Sequence, residues 1–419
     1  MKPILQYRDP EVAAPGNEPS GEYVSLRRWL PLFVLGLIAA LLSMLTHAEP
    51  ALRGTGDLGI VIERASGSIQ IVDTTRQSVI GHVAGMGDLS HASAVFSRDQ
   101  RYAFIFGRDG GISKVDLLTT TLVRRSVQAG NAIGGAISQD GKMVVAQNYE
   151  PGGIKAFDAE TLELLADVPA SYGNEGKRSK VVGLADLPGQ CFAYALFDAG
   201  EIRITDLSDP HHPTTTAYPA GKQPYDGLVT PDGRFYIAGL FGEDGLALLD
   251  TWLPEKGVRR ILAGYGKGEE PLPVFKMPHL RGWSIAGGRA YLPAIGRHEV
   301  LVVDTRTWEE VGRIPVKSQP VFVMARPDGR EIWVNFAFPD NGWVQVIDTL
   351  SNRVSDTLQP GKAILHMEFT PKGEAVWISA RDDNLVSIFD TASHRRLRSF
   401  AADSPSGILF SARATRTGF

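Results

Sequence analysis

Cysteine is almost absent from this sequence, and the absence limits the chemistry open to the chain. Cys191 is the only cysteine among 419 residues, so no disulfide can form within the chain. The Cys-x-x-Cys-His motif that attaches c-type haem is missing, and cysteine-based zinc clusters are excluded as well. Any redox function would therefore need a cofactor of another kind or an external electron acceptor.

An excess of positive charge is also missing. The formal net charge is -4 at pH 7, which argues against a nucleic-acid partner. The glycine-rich stretch GYGKGEEP at 264–271 does not open a helix in a βαβ unit, so it is not a dinucleotide-binding motif. No Ser/His/Asp order or pair of carboxylates typical of a hydrolase stands out. What the chain does contain is 45 glycines, 26 prolines and 43% hydrophobic residues, which suits a packed protein of short strands and turns.

The N-terminal part differs from the rest. Residues 29–46, WLPLFVLGLIAALLSMLT, form an apolar run of 18 residues without a charge. Arg27 and Arg28 precede it and the small residue Ala48 follows, so residues 1–48 are expected to be a signal peptide for export or a membrane anchor. The arginines stay on the cytoplasmic side, which predicts a periplasmic protein, soluble or attached to the inner membrane. Twin-arginine and ordinary export both remain open, and no cysteine lies near the cleavage point to carry a lipid.

A phrase of strand, aspartate, short polar turn and strand recurs eight times along the chain. The aspartates of the eight copies are Asp73, Asp116, Asp158, Asp206, Asp250, Asp304, Asp348 and Asp390. Their spacing, mostly about 43 residues, accommodates four strands with their turns. Four-stranded sheets stacked radially bury both faces, so the repeat predicts an all-β fold, an eight-bladed β-propeller over residues 52–419. The eight aspartates are expected to hold turns rather than to act on a substrate.

A propeller of this kind concentrates functional residues at one mouth of its central channel. The first strand of each repeat lines the channel, and the loops before it and after the second strand share the same face. Alignment of the repeats places these residues at or near the mouth: His91, Arg108, Tyr149, Tyr225, Asp226, His279, Arg281, Trp283, Phe322 and His366. Five other histidines are expected on the surface: His82, His211, His212, His298 and His394.

The residue types at the mouth indicate a flat anionic ring with a metal at its centre. Histidine binds iron through a neutral nitrogen, arginine clamps carboxylates, and aromatic side chains cover an apolar ring. For any single histidine the alternative is a channel filled with water and hydrogen-bonded polar side chains.

Four stretches carry a family resemblance: SHASAVFSRDQRYAFIFGRDGGISKVDL, NYEPGGIKAFDAETLE, QPYDGLVTPDGRFYIAG and MPHLRGWSIAGG. Over almost all of residues 55–419 the chain resembles the haem d1 domain of cytochrome cd nitrite reductases. It resembles still more closely the exported haem d1 biosynthesis proteins of denitrifying bacteria. The resemblance implies that the cofactor is haem d1 or its precursor, an iron-containing tetrapyrrole bound non-covalently.

The resemblance also implies roles for single residues. His91 is similar in position to the histidine that ligates the iron, so it is the expected metal ligand. Arg108 and Arg281 match arginines that contact ring carboxylates, and Tyr149 matches an aromatic side chain beside the ring. Tyr225 and Trp283, from the same mouth, complete the predicted cofactor-binding set.

The sequence departs from the reductase where nitrite would be protonated. Tyr225 and Asp226 stand near the place of one distal histidine, and Phe197 and Asp198 near the place of the other. Without these histidines and without a c-type haem domain, nitrite reduction is not expected. If chemistry occurs, an acid or base must reach the ring edge, and the candidates are Asp226 first and His279 second.

Three functions follow from these observations. The first is an oxidoreductase or lyase that modifies a haem d1 precursor late in biosynthesis, by side-chain removal or dehydrogenation. The second is a non-catalytic carrier that delivers haem d1 to nitrite reductase. Both readings imply a tetrapyrrole ligand, with nitrite reductase and other haem d1 biosynthesis proteins as partners. The third is a propeller scaffold for protein partners, which predicts no dependence on His91.

Overall fold

The computed structural model describes residues 53–264 and 282–415. Its regular elements in these ranges are 34 β-strands and a few short 3-10 turns. No helix within the described ranges is long and apolar enough to cross a membrane. The predicted export or anchor segment, residues 1–48, lies outside the described residues.

The described residues form eight antiparallel four-stranded sheets and one small two-stranded sheet, which confirms the predicted all-β, eight-bladed propeller. From the innermost strand outwards, blade 1 contains β34 (Pro405–Phe410), β1 (Leu58–Glu63), β2 (Ser68–Asp73) and β3 (Ser78–Val83). Blade 2 contains β4 (Ser93–Phe96), β5 (Tyr102–Phe106), β6 (Gly111–Asp116) and β7 (Thr121–Val127). Blade 3 contains β8 (Asn131–Ile137), β9 (Met143–Glu150), β10 (Gly153–Asp158) and β11 (Leu164–Pro169).

The remaining blades follow the same order. Blade 4 contains β14 (Val181–Leu187), β15 (Cys191–Leu196), β16 (Glu201–Asp206) and β17 (Thr214–Pro219). Blade 5 contains β18 (Pro224–Val229), β19 (Phe235–Leu240), β20 (Leu246–Asp250) and β21 (Val258–Ile261). Blade 6 contains β22 (Ser284–Ala286), β23 (Arg289–Ala294), β24 (Glu299–Asp304) and β25 (Glu309–Pro315). Blade 7 contains β26 (Pro320–Ala325), β27 (Glu331–Phe336), β28 (Val344–Asp348) and β29 (Arg353–Leu358). Blade 8 contains β30 (Ile364–Phe369), β31 (Ala375–Ala380), β32 (Leu385–Asp390) and β33 (Arg396–Ala401).

The two longer spacings between repeat aspartates lie where the chain adds residues between blades. A two-stranded hairpin of β12 (Ser171–Tyr172) and β13 (Lys177–Arg178) is inserted between blades 3 and 4. Residues 265–281, between blades 5 and 6, lie outside the described residues.

All eight repeat aspartates hold turns, as predicted. In each copy a carboxylate oxygen accepts a backbone N–H two or three residues further along, for example Asp158 Oδ1 from Thr161 at 2.7 Å. The aspartate thereby fixes the connection between the third and fourth strands of its blade. This connection lies at the end of the blade opposite the mouth.

The hydrophobic core lies between neighbouring sheets. The middle strands of blade 1, β1 and β2, are buried along their whole length, whereas its outermost strand β3 is largely exposed. Most first strands contact the first strand of a neighbouring blade at the central channel, for example β14 with β18 and β30 with β34. The sheet stack therefore fixes the first strands as a ring, and their starting ends form the wall of the site described next.

Candidate functional site

A cavity of about 1260 Å³ opens at the face where the first strands begin. Ordinary small-molecule pockets enclose about 300–1,000 Å³. The cavity is therefore large enough for a ligand of the size of a tetrapyrrole ring. From the site predicted by the sequence, the residues that line it are His91, Arg108, Tyr149, Tyr225 and Asp226, together with Phe322 and His366.

Of the other predicted site residues only Trp283 is described, and it is not part of this wall. His279 and Arg281 lie outside the described residues. Trp283 is fully buried and packs edge-on against Trp308, with ring centroids 6.4 Å apart, in the core beside blade 6. An indole held there cannot contact a ring in the cavity without unpacking the core, so its position gives no support to the predicted cofactor contact.

His91 lies on the loop that enters β4, and its side chain is exposed. The same loop is tied to the end of β5, because the backbone N–H of Arg108 donates to the carbonyl of Asp88 at 2.8 Å. The hydroxyl and backbone N–H of Ser90 lower the pKa of the Asp88 carboxyl, and the nearby charges of Arg108 and Arg64 lower it further. The loop thus brings a histidine and an arginine to one stretch of the wall.

Tyr149 of blade 3 and Tyr225 of blade 5 form a hydroxyl pair, with their oxygens 3.0 Å apart. Burial raises the pKa of both phenols above the ordinary value, and the charge of Asp226 raises both further. Both groups are therefore protonated at neutral pH and can donate hydrogen bonds. Phe197 and Phe241 pack around the Tyr225 ring, each with its centroid 5.9 Å from that of Tyr225.

Asp226 occupies an irregular point of β18. Its backbone has φ +56°, and the pairing of β18 with β19 shifts register between Tyr225 and Leu228. A left-handed residue at a β-bulge turns its side chain away from the regular alternation. The carboxylate oxygen Oδ1 accepts the backbone N–H of Gly227 at 2.9 Å, and the residue lines the cavity.

The wall also contains three positively charged residues that the sequence analysis did not predict: Arg64, Lys362 and Arg381. Arg64 follows the second strand of blade 1 and Arg381 the second strand of blade 8, in the loop that carries Arg108 one position further along in blade 2. Superposition of the repeats could therefore have found both arginines. Burial lowers the pKa of Arg64 and the charge of Arg381 lowers it further, so the two cations face the same region.

The charge on the wall is uneven. Blades 8, 1 and 2 supply Lys362, Arg381, Arg64 and Arg108, whereas blades 3 and 5 supply the two tyrosines and Asp226. Asp382 of blade 8 also lines the cavity and pairs with Arg381 at 2.6 Å, and Lys362 lies 3.9 Å from Asp383, so the excess of positive charge lies at Arg64 and Arg108. Such a wall fits a large ligand that carries anionic groups along one edge and an apolar face elsewhere. The fold and the site together define a class of protein, an eight-bladed propeller with a wide, cationic and aromatic ligand cavity at one mouth.

Comparison with known proteins identifies the family within this class. Residues 53–414 match the family model described as Cytochrome D1 heme domain. The chain belongs to this family, which confirms the resemblance found in the sequence.

Within the family the chain is similar to two proteins named NirF. It is 54% identical over 395 residues to NirF of Stutzerimonas stutzeri, covering 94% of this chain and 100% of that one. It is 57% identical over 372 residues to NirF of Pseudomonas aeruginosa, covering 88% of this chain and 95% of that one. A solved structure of the dihydro-heme d1 dehydrogenase NirN in complex with DHE superposes with a TM-score of 0.75. That alignment covers 88% of this chain and 78% of NirN at 23% identity, and it supports the fold.

Proposed function

We propose that this chain binds haem d1 or a precursor of it in the mouth cavity and acts in a late modification of that ring during haem d1 biosynthesis. The observation that best supports this proposal is the cavity of about 1260 Å³, whose wall combines an exposed histidine, several cations and a half-buried tyrosine pair. Membership of the Cytochrome D1 heme domain family supports a tetrapyrrole as the ligand.

The residues of the wall divide the binding of such a ring between them. His91 is the candidate iron ligand, because a histidine on an exposed loop can present a neutral ring nitrogen to a metal. Arg108 is the candidate carboxylate clamp, with Arg281 as its partner from outside the described residues. The hydroxyls of Tyr149 and Tyr225 donate hydrogen bonds to the ring periphery.

Asp226 is the candidate acid or base for the chemical step, with His279 as the second candidate. It lines the cavity beside the tyrosine pair, where it can exchange a proton with a group at the ring edge. NirN, which shares the fold, is named a dihydro-heme d1 dehydrogenase. Dehydrogenation removes two electrons and two protons and would need an external electron acceptor, whereas side-chain removal by a lyase would not.

The alternative is a non-catalytic carrier that delivers haem d1 to nitrite reductase. A hydrogen bond of Asp226 favours the carrier, because the carboxylate oxygen Oδ1 already accepts the backbone N–H of Gly227. A carboxylate held in this way can support the bulge in β18 without taking part in proton transfer. For either function we propose a periplasmic location, in soluble form or attached to the inner membrane through residues 29–46.

The test is an absorption titration of the purified protein with haem d1. We expect the parent to shift the haem absorption band, and His91→Ala to alter or abolish that shift. Arg108→Ala should weaken binding while keeping the shifted band, because it removes a clamp and not the iron ligand. His212→Ala, whose side chain is 84% exposed and paired with Asp209, serves as the control.

A second measurement separates the enzyme from the carrier. The parent and Asp226→Asn are incubated with a haem d1 precursor and an electron acceptor, and the products are analysed. Turnover by the parent that is lost in Asp226→Asn at unchanged affinity supports the enzyme. Binding without turnover by the parent supports the carrier, and no binding of any haem d1 form contradicts both.

A further inference from the structure

His366 is a second histidine of the cavity wall, and its ring is held by the protein on one side. The residue belongs to β30, the first strand of blade 8, and lines the cavity. Its Nδ1 accepts the backbone N–H of Ile408, in β34 of blade 1, at 3.2 Å. In a neutral imidazole one nitrogen accepts and the other carries the proton. The proton therefore belongs to Nε2.

Further contacts fix the residue at this place. The pairing of β30 with β31 shifts register between Ile364 and His366, so the histidine lies on a bulge. The bulge is pinned by Ser379, whose hydroxyl oxygen accepts the backbone N–H of His366 at 2.9 Å. The ring packs edge-on against Phe322, with centroids 5.8 Å apart. The imidazole thus has one orientation, with Nδ1 turned to the neighbouring blade.

The surroundings also keep the ring uncharged. Burial lowers the pKa of His366 to about 3, and the positive charge of Arg413 lowers it further. The carboxylate closest in the strand, Glu368, is bound by the Arg413 guanidinium through both of its oxygens. No carboxylate within the described residues forms a hydrogen bond or ion pair with the imidazole that would stabilise its protonated form.

We infer that His366 is locked as the Nε2–H tautomer and offers this N–H as an uncharged hydrogen-bond donor to a carboxylate or carbonyl oxygen at the edge of the cavity ligand. Arg64 and Arg108 line the same cavity and supply positive charge that would attract an anionic edge, whereas Arg381 and Lys362 of the same blade are paired with Asp382 and Asp383. His366 makes the contact directional, because its N–H donates best to an acceptor that lies along the N–H bond.

This role separates His366 from His91. A nitrogen that carries a proton has no lone pair for a metal, so His366 cannot ligate iron through Nε2 while Nδ1 is bound to Ile408. The two histidines of the described cavity wall would thus hold different parts of one ligand, its metal and its periphery. The identity of that ligand as a tetrapyrrole rests on the proposed function.

The tautomer is tested first, in the full-length protein without ligand. Nitrogen-15 NMR of histidine-labelled protein, with the signal assigned by comparison with His366→Gln, reports which ring nitrogen carries the proton. We expect a protonated Nε2, an unprotonated Nδ1 and no titration between pH 5 and 8. A protonated Nδ1, or a ring that titrates in this range, would overturn the inference.

The donor role is tested by haem d1 affinity. His366→Leu removes the donor and should weaken binding about tenfold, the effect of losing one hydrogen bond to a charged acceptor. His366→Gln places an uncharged amide N–H near the position of Nε2 and should restore most of the affinity. Both variants should keep the absorption band of the parent complex, in contrast to His91→Ala, because the iron ligand is unchanged.

The outcomes distinguish this inference from the proposed function. A band changed in His366→Leu as in His91→Ala would make His366 an iron ligand, and unchanged affinity in His366→Leu would exclude a contact with the ligand. Either result contradicts the donor role while haem d1 binding by the parent stands. Failure of the parent to bind haem d1 overturns the proposed function and the donor role together, and the tautomer is then decided by NMR alone.

Discussion

Three histidines of the propeller have different structural roles because their surroundings differ. His91 is exposed on a loop at the mouth, and His366 is fixed on a strand by the N–H of Ile408. His394, expected on the surface, is instead largely buried between blades 7 and 8. Its Nδ1 lies 2.8 Å from Asp356 and its Nε2 lies 3.3 Å from Glu331. It links the turn between β32 and β33 of blade 8 to β27 and β29 of blade 7, and the contacts that decide this come from residues far apart in the sequence.

Gly183 lies at a point of the cavity wall where the neighbouring backbone leaves no room for a side chain. It lines the cavity on β14 with φ +63°, and a Cβ atom there would lie 2.3 Å from the nitrogen of Gly227 and 2.4 Å from the carbonyl carbon of Asp226. We expect Gly183→Ala to destabilise the fold by more than about 1 kcal/mol, through backbone strain and overpacking together. Urea unfolding measures the loss, and haem d1 titration should show weaker binding because β18 is displaced.

Gly173→Ala is the matched control for this substitution. Gly173 has φ +65°, nearly the same backbone strain, but a Cβ atom there would meet no atom within 4 Å. The difference between the two variants therefore isolates the close approach of β14 and β18. Equal losses of stability would show that backbone strain alone is responsible, and full haem d1 affinity in Gly183→Ala would disprove the displacement.

At this scale the sequence predicts the site in part. His91, Arg108, Tyr149, Tyr225 and Asp226 do line one cavity, because each has a fixed position in the repeat. The prediction fails to see that Trp283 turns into the core, since an aromatic residue beside the mouth suits either environment. Which way such a side chain points depends on the neighbouring sheet, and no local pattern encodes that.

The repeating turn is the element that the sequence predicts best. Each copy closes its own hydrogen bonds within a few residues, so the local pattern determines the local structure. In blade 7, for example, both the backbone N–H and the hydroxyl of Ser351 donate to Asp348 at 2.7 Å. In blade 8, Ser393 bonds Asp390 in the same way.

These turns should make the stability of the protein sensitive to acid. The hydroxyl of Ser351, followed by its backbone N–H, lowers the pKa of Asp348, and Ser393 does the same for Asp390. The side chain of Arg306, followed by its backbone N–H, lowers the pKa of Asp304 to about 2. A carboxyl group whose pKa is lower in the folded state stabilises the fold above its unfolded pKa, about 3.9, and this contribution is lost as the pH falls. The free energy of unfolding should therefore decrease between about pH 5 and pH 2.

Urea unfolding at a series of pH values checks this expectation. The matched variant is the triple substitution D304N, D348N and D390N, which keeps an oxygen acceptor in each turn but removes the titrating proton. We expect a shallower loss of stability below pH 5 in this variant than in the parent. An identical pH profile would assign the acid sensitivity to other groups.

Bulges in the first strands are elements that the repeat does not reveal. Strands β8, β14, β18, β26 and β30 all shift register near the mouth. Side chains of second strands support them: Gln147 accepts the N–H of Leu184 at 2.8 Å, and Asn335 donates to the carbonyl of Ile364 at 3.0 Å. Both bonds cross from one blade to the next. The cavity wall therefore contains bulges at which the strands depart from the regular repeat. A pattern common to all eight copies does not predict these bulges.

Ring closure belongs to the whole molecule. The count of eight aspartates predicts the number of blades, but blade 1 is completed from both ends of the propeller. Strand β34 pairs with β1, with Val61 opposite Ile408, and the Ser411 hydroxyl donates to the carbonyl of Thr55 at 2.6 Å. The aspartate repeat does not predict this pairing, because β34 follows the last copy of the repeat and has no aspartate of its own.

Removal of residues 405–419 should open the ring. The truncated chain loses β34, exposes the edge of β1 and removes the Ile408 N–H that holds His366. An unpaired inner strand invites association with other chains, so we expect aggregation and loss of a single cooperative unfolding transition. The control is a circular permutant that joins residue 415 to residue 53 by a short linker and begins between blades 4 and 5, which keeps β34 paired with β1. Calorimetry and light scattering should show a cooperative monomer for the permutant and neither property for the truncation. A truncated chain that still unfolds cooperatively would mean that blade 1 is stable with three strands and that closure by β34 serves the cavity rather than the fold.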